Sequence, residues 1–266
     1  MPELPEVETI KRDLEKIIPG KKIVKVRINQ PAVIRQISPE KFKQGLEGRT
    51  IKNILRRAKM LILELSGGKA LVIHLKMTGQ LVYPGGGKNS RVEFLLSDGK
   101  SMDFNDQRLF AELRLMDDWR SLEFIKNLGP EPFDLGPEEF KKMFGSKRTR
   151  IKPLLMDQTF ISGIGNLYAS EILFRAGIDP VRPAVSLSDK EKETLLKRIN
   201  EVLAEAIKSG GSSIDDYVRL SGVKGDYSRH HRVYGKQGKP CPVCGTLIKR
   251  TVLGGRGTFF CPKCQR

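Results

Sequence analysis

Pro2 and Glu3 are the first residues in this chain whose types and spacing suggest chemistry. Pro2 directly follows Met1, so loss of the methionine would leave a secondary amine at the chain start. An α-amino group titrates near ~7.7–8, so part of it is unprotonated and nucleophilic at neutral pH. Attack of such an amine on a sugar aldehyde carbon gives a charged iminium, the electron sink that lysine Schiff bases supply. Glu3 is adjacent and can serve the same carbon as general acid or base. The same stretch also reads as an ordinary chain start in which Pro5 and Glu6 open a helix.

The second group is Cys241-Pro-Val-Cys244 and Cys261-Pro-Lys-Cys264, separated by sixteen residues. Two CxxC turns at this spacing supply the four thiolates of a tetrahedral zinc site. Four protein ligands leave the metal no open position, so the expected cofactor is one structural Zn2+ and not a catalytic one. Between the knuckles lies Gly254-Gly255-Arg256-Gly257. Arg256 at such a tip suits a phosphate clamp or groove contact; it also reads as a solvated tip residue.

The third group is basic. The chain carries 48 Lys and Arg against 31 Asp and Glu, a net charge of +17. That excess implies a polyanionic partner, with nucleic acid ahead of anionic membrane. One run, Lys141, Lys142, Lys147, Arg148, Arg150 and Lys152, lies mid-chain, and a second accumulates from Val218 to the end. Beside a zinc hairpin the pair points to a duplex-binding surface. Smaller signals are Lys59 between two strands, Met77 in a Leu-Lys-Met-Thr-Gly loop, Arg108 and Phe110 in a second loop, and Asn166 after Ser162-Gly-Ile-Gly165. An exposed Met, Arg and Phe can wedge a duplex open, and an Asn at a helix start can bind phosphate. Each also reads as an ordinary core, edge or capping residue.

These residues need elements to position them. Val7, Ile10, Leu14 and Ile17 recur at helical spacing up to Pro19-Gly20. From Lys21 to about Met116 the period becomes two, as in Val24, Val26 and Ile28, with Gly-rich turns between runs. Seven or so short strands predict an antiparallel sandwich or barrel. The breaker-rich segment from Gly129 to Pro137 predicts a hinge. After it, helices are expected over 137–144, 151–156, 166–176 and 189–208, the last with a Ser188/Glu191 capping box. The fold class is thus α+β and multidomain, with bounds expected at 1–130, 131–232 and 233–266. No apolar run approaches the ~20 residues that span a bilayer, and no signal-peptide pattern opens the chain. The expectation is a cytoplasmic protein in a reducing compartment.

The order of MPELPEVET, RRAK, LKMTG, GIGNLYASEILF and CPVC…CPKC along the whole chain resembles the formamidopyrimidine-DNA glycosylases. The resemblance implies an N-terminal helix plus antiparallel β-sandwich, a helix–two-turn–helix domain and a C-terminal zinc-finger β-hairpin, with DNA bound in the cleft between. It implies excision of oxidised purines (8-oxoguanine and formamidopyrimidines) from double-stranded DNA, each base being flipped out of the stack first. Cleavage at the abasic site by β,δ-elimination would follow. Pro2 would attack C1′, Glu3 would protonate the sugar ring oxygen, Lys59 would contact the lesion nucleotide and its phosphates, and Glu6 would help order the N-terminal site. Met77, Arg108 and Phe110 would fill the vacated space, with Arg108 facing the widowed cytosine. Asn166 and Arg256 would grip the flanking phosphates, with Lys152 and the Asn89 position as further phosphate contacts. The likeness also implies a monomer associated with the nucleoid.

Two positions depart from the family pattern: Asn89 stands where a His is usual, and Leu109 where a second Arg is common. An endonuclease VIII-type enzyme for oxidised pyrimidines, or a non-enzymatic zinc-ribbon DNA binder, are the other readings.

Overall fold

A computed structural model describes residues 1–86, 90–214 and 216–266. The chain divides into two compact units, Met1–Lys126 with Ile207–Ser228, and Asn127–Ala206 with Arg229–Arg266.

The first unit opens with helix α1, Leu4–Glu15, which buries Leu4, Val7, Ile10 and Leu14. The helix stops before Ile17, which is 42% exposed; Ile18 turns inward in its place. Eight strands follow: β1 (Ile23–Ile28), β2 (Ile51–Arg57), β3 (Met60–Leu65), β4 (Ala70–His74), β5 (Gly79–Val82), β6 (Val92–Leu96), β7 (Ser101–Asp106) and β8 (Glu112–Met116). They form two antiparallel four-stranded sheets, ordered β1-β6-β7-β5 and β2-β3-β4-β8. One core cluster joins the inner faces, with Val26, Phe94 and Phe104 from one sheet and Leu61, Leu63, Leu71 and Ile73 from the other. This is a β-sandwich.

The period-two reading slips at β1, where a register shift lies between Ile23 and Lys25. Val24 is consequently exposed, while Ile23 and Val26 face the core. β3 reads as continuously apolar because both its faces are covered. Met60 and Ile62 on its outer face pack with Val72 and Ile125, under Trp119 and Leu122. Helix α2 (Pro39–Leu46), capped by Ser38, and the short α3 (Glu123–Lys126) complete the N-terminal part.

Residues 207–228 also belong to this unit, although the sequence places them with the helical region. Tyr217 and Leu220 are part of the sandwich core, and Tyr83 N–H donates to the Leu220 carbonyl at 2.8 Å. Arg219 makes a two-pronged ion pair with Asp13 of α1, at 3.1 and 2.8 Å.

The second unit holds α4 (Pro137–Phe144), α5 (Ile151–Met156), α6 (Asn166–Ala176) and most of α7 (Asp189–Lys208), then a hairpin of β9 (Lys249–Leu253) and β10 (Arg256–Phe260). The Ser188/Glu191 capping box forms, with the Glu191 carboxylate accepting the Ser188 N–H at 2.8 Å. Among the described residues, no helix is long and apolar enough to cross a membrane.

Candidate active site, phosphate grips and zinc centre

Pro2 is buried and Glu3 is 4% exposed, both at the mouth of α1. The Glu3 N–H donates to Glu6 Oε2 at 2.8 Å. The other Glu6 oxygen accepts the Ser212 N–H at 2.8 Å, so one buried carboxylate joins the helix start to the 207–228 segment. Tyr217 lies against the same group, its hydroxyl donating to the Gly210 carbonyl at 3.0 Å. Burial, with the Glu6 charge adding to it, pushes the Tyr217 phenol well above its usual range, so it stays a neutral donor.

Lys59 sits in the β2–β3 turn behind Ala58, which takes φ +52°, and is only 7% exposed. Helix α1 packs on β2 and β3, and Arg56 Nε binds Glu8 of the helix at 2.8 Å. The hairpin carrying Lys59 is thereby fixed to the helix that begins at Glu3. Burial pushes the Glu8 carboxyl up, but the hydrogen bonds and charges of Arg56 and Arg12 outweigh it and hold the carboxyl below its usual range, so that ion pair persists at neutral pH.

Met77 is half-buried in the β4–β5 loop, and Arg108 and Phe110 are exposed in the β7–β8 loop. The Arg108 guanidinium stands 4.9 Å from the Phe110 ring centroid, a cation–π distance. Leu109 is partly buried and packs against the sandwich core. Before Met77, His74 Nδ1 accepts the Lys76 N–H at 3.1 Å. Burial, helped by Lys76, pushes the His74 imidazole down to about 3, so this acceptor is unprotonated at neutral pH. Asn89 lies outside the described residues.

In the second unit Asn166 begins α6. The turn before it depends on Gly163, at φ +95°, and on Gln158, whose amide accepts from Gly163 N–H at 2.9 Å and donates to Ile164 O at 2.8 Å. Lys152, expected as a further phosphate contact, is 1% exposed. Its ammonium donates to Asn166 Oδ1 at 2.7 Å, Thr258 Oγ1 at 2.8 Å and Gly257 O at 3.1 Å. It is enclosed as a support beneath Asn166 and the strand that Arg256 opens. Arg256 itself is exposed.

The four cysteines place their Sγ atoms within 4.8 Å of one another, with Cys241–Cys264 at 3.9 Å and Cys244–Cys261 at 3.5 Å. A tetrahedral zinc with Zn–S of about 2.3 Å needs sulfurs roughly 3.8 Å apart, so the cluster fits one structural Zn2+. The metal would be held by these four thiolates and would tie the β9–β10 hairpin to its knuckles.

Sequence reasoning missed one residue here. Glu171 on α6 is fully buried, and its carboxylate accepts the Arg232, Val233 and Tyr234 N–H groups at 2.8, 3.0 and 2.8 Å. It anchors the chain entering the zinc finger. A lone acid inside the apolar run Leu167–Phe174 was the available signal.

Three family models match in order: the formamidopyrimidine-DNA glycosylase N-terminal domain over residues 1–113, its H2TH domain over 128–218, and a zinc finger found in FPG and IleRS over 238–266. The chain belongs to the formamidopyrimidine-DNA glycosylase family. A formamidopyrimidine-DNA glycosylase of Pelotomaculum thermopropionicum is 42% identical over 100% of this chain and 99% of its own length. That of Moorella thermoacetica is 44% identical over 94% of each. Among solved structures, a Lactococcus lactis FPG mutant in complex with Fapy-dG-containing DNA superposes with a TM-score of 0.92 at 35% identity, covering 100% of both chains. The MutM (FPG) protein of Thermus thermophilus gives 0.89 at 39%, covering 99% of this chain and 98% of that one. The glycosylase fold, with its sandwich, its helical H2TH part and its zinc hairpin, is therefore the fold of this chain.

Proposed function

We propose that this glycosylase excises 8-oxoguanine and formamidopyrimidines from duplex DNA and then cleaves the abasic strand. The observation that carries the reading is the Pro2-Glu3 pair, buried at the start of α1, with the Glu3 backbone held by Glu6. Once Met1 is removed, the Pro2 nitrogen attacks C1′ while the C1′–O4′ bond breaks, and the ring oxygen leaves with that electron pair and is protonated by Glu3. The C1′–N bond to the base breaks, and the damaged base leaves with the electron pair of that bond. The resulting iminium acidifies the adjacent C2′ position, and loss of that proton expels the 3′ phosphate; a second elimination expels the 5′ phosphate. Lys59 contacts the lesion nucleotide and its phosphates.

Met77, Arg108 and Phe110 fill the space left by the flipped nucleotide. Asn166 and Arg256 grip flanking phosphates, while Asn89 alters one further phosphate contact. Residues 1–130, 131–232 and 233–266 are the catalytic, helix–two-turn–helix and zinc-finger parts of this reading. The working form is a cytoplasmic, nucleoid-associated monomer.

Borohydride trapping on duplex DNA with 8-oxoguanine opposite cytosine tests the reading. A covalent adduct that disappears in Pro2→Gly supports it; no adduct, or one indifferent to Pro2→Gly, overturns it. Oxidised pyrimidines are the second substrate class, because a wild-type Lactococcus lactis FPG has been solved with oxidised-pyrimidine DNA and resembles this chain with a TM-score of 0.90. Equal trapping on thymine glycol would favour that class.

A further inference from the structure

The two loops that carry Met77 and Arg108–Phe110 each contain a non-glycine residue in left-handed backbone conformation, Lys76 at φ +50° and Leu109 at φ +58°. Each such residue costs on the order of 1–2 kcal/mol and persists only where its surroundings over-determine it. In this sandwich the surroundings converge on one carboxylate.

Asp106, at the end of β7, is 1% exposed. Its Oδ1 accepts the Thr78 hydroxyl of the first loop and the Arg108 N–H of the second, the latter at 3.2 Å. The Thr78 oxygen accepts that same Arg108 N–H at 3.1 Å. Asp106 Oδ2 accepts the Ala111 N–H at 2.7 Å, where the second loop ends. Arg91 Nε holds the Asp106 carbonyl at 2.9 Å. The first loop is closed independently by Gly79 N–H on the Leu75 carbonyl at 2.9 Å. A Cβ at Gly79 would meet that carbonyl oxygen at 2.5 Å, so only glycine permits the closure.

We infer that Asp106 is a positioning residue that locks the two loops to each other, so that Met77 and the Arg108–Phe110 pair act as one preformed wedge and discriminate the base opposite the lesion. The inference rests on the proposed glycosylase reading. Among the described residues, the Asp106 carboxylate bonds to the loops and to none of the groups proposed to react. Its contribution is to remove the ordering cost of two loops when DNA enters. Thr78 is its lever, because one hydroxyl bridges the carboxylate and the Arg108 backbone.

The test uses full-length zinc-loaded protein and the variants Asp106→Asn and Thr78→Val. Asparagine would turn one acceptor into a donor facing an N–H; valine removes only the bridging hydroxyl. Four quantities are measured: single-turnover excision of 8-oxoguanine opposite cytosine, the same opposite adenine, cleavage of a preformed abasic site, and thermal unfolding. Excision opposite cytosine is expected to fall about tenfold, the equivalent of about 1.4 kcal/mol, and the cytosine-to-adenine ratio to flatten, while abasic-site cleavage is kept. An unchanged ratio, or a parallel fall in excision and abasic cleavage, overturns the inference. Should Asp106→Asn fail to fold, Thr78→Val decides. Wild-type protein that excises from neither duplex would overturn the glycosylase reading and this inference with it; wild-type excision with unaltered variant ratios overturns the inference alone.

Discussion

The Lys152 ammonium lies 2.7 Å from Asn166 Oδ1. An ammonium has only donors, so the asparagine oxygen must face it, and the amide N–H2 is left as the outward group. The same ammonium holds Gly257 O and Thr258 Oγ1, the two residues after Arg256. One enclosed cation therefore orients both proposed phosphate grips.

Lys152→Met keeps the length of the side chain and removes that cation. Three acceptors lose a charged donor, so stability should fall by about 2–3 kcal/mol and DNA affinity by about tenfold. Because no phosphate contact is removed directly, the slope of log affinity against log salt should stay as in wild type. Arg256→Ala should instead make that slope shallower by about 1. Fluorescence anisotropy across a salt series separates the two; a shallower slope for Lys152→Met would mean that its ammonium reaches phosphate after all.

Glu3→Gln removes the proton donor without changing the size of a buried side chain. Base excision should be lost, while strand cleavage at a preformed abasic site should survive in part, since no base has to leave there. Gel assays on 8-oxoguanine and abasic duplexes measure the split. Full excision by Glu3→Gln would exclude it as the acid.

Cys244→Ser leaves three thiolates for the metal. The hairpin β9–β10 should lose its order, the zinc content should fall, and DNA affinity should drop with it. Metal analysis of the purified variant and a binding titration check this. Unchanged affinity in a zinc-free variant would show that the hairpin does not contribute to binding.

Glu191 gives a pH signature. The Arg182 guanidinium beside it, with the Ser188 hydrogen bonds, holds its carboxyl at about 2, below the ordinary glutamate value near ~4.3. A folded-state pKa that is depressed contributes stability above the unfolded value and loses it as pH falls through the folded one. Stability should therefore decline from about pH 4 towards pH 2, and Glu191→Gln should be less stable at neutral pH with a flatter acid limb. Because the group is partly exposed, the difference at neutral pH should stay near or below about 1 kcal/mol. Urea unfolding at several pH values reads both.

The helices α4 to α7 were legible because caps, breakers and apolar spacing agree along them. The cysteine spacing likewise announced its cluster. Lys152 looked like one more member of a basic run, since sequence does not say which way a lysine points. Asp106 and Glu171 were invisible as struts for a related reason: most of their partners are backbone N–H groups, which every residue except proline has. Sequence patterns register side-chain types, and these carboxylates are positioned largely by main chain.

The membership of residues 207–228 in the first unit bears on how the protein is made. Tyr217, Leu220 and the Ser212 N–H that Glu6 uses are synthesised only after residues 127–206 have been translated. Until then the nascent sandwich has an unfilled place in its core, and Glu6 has one arm without its Ser212 donor. The N-terminal part cannot mature as an autonomous early domain. Its catalytic end is completed late, by a strap that arrives once the helical region has been translated.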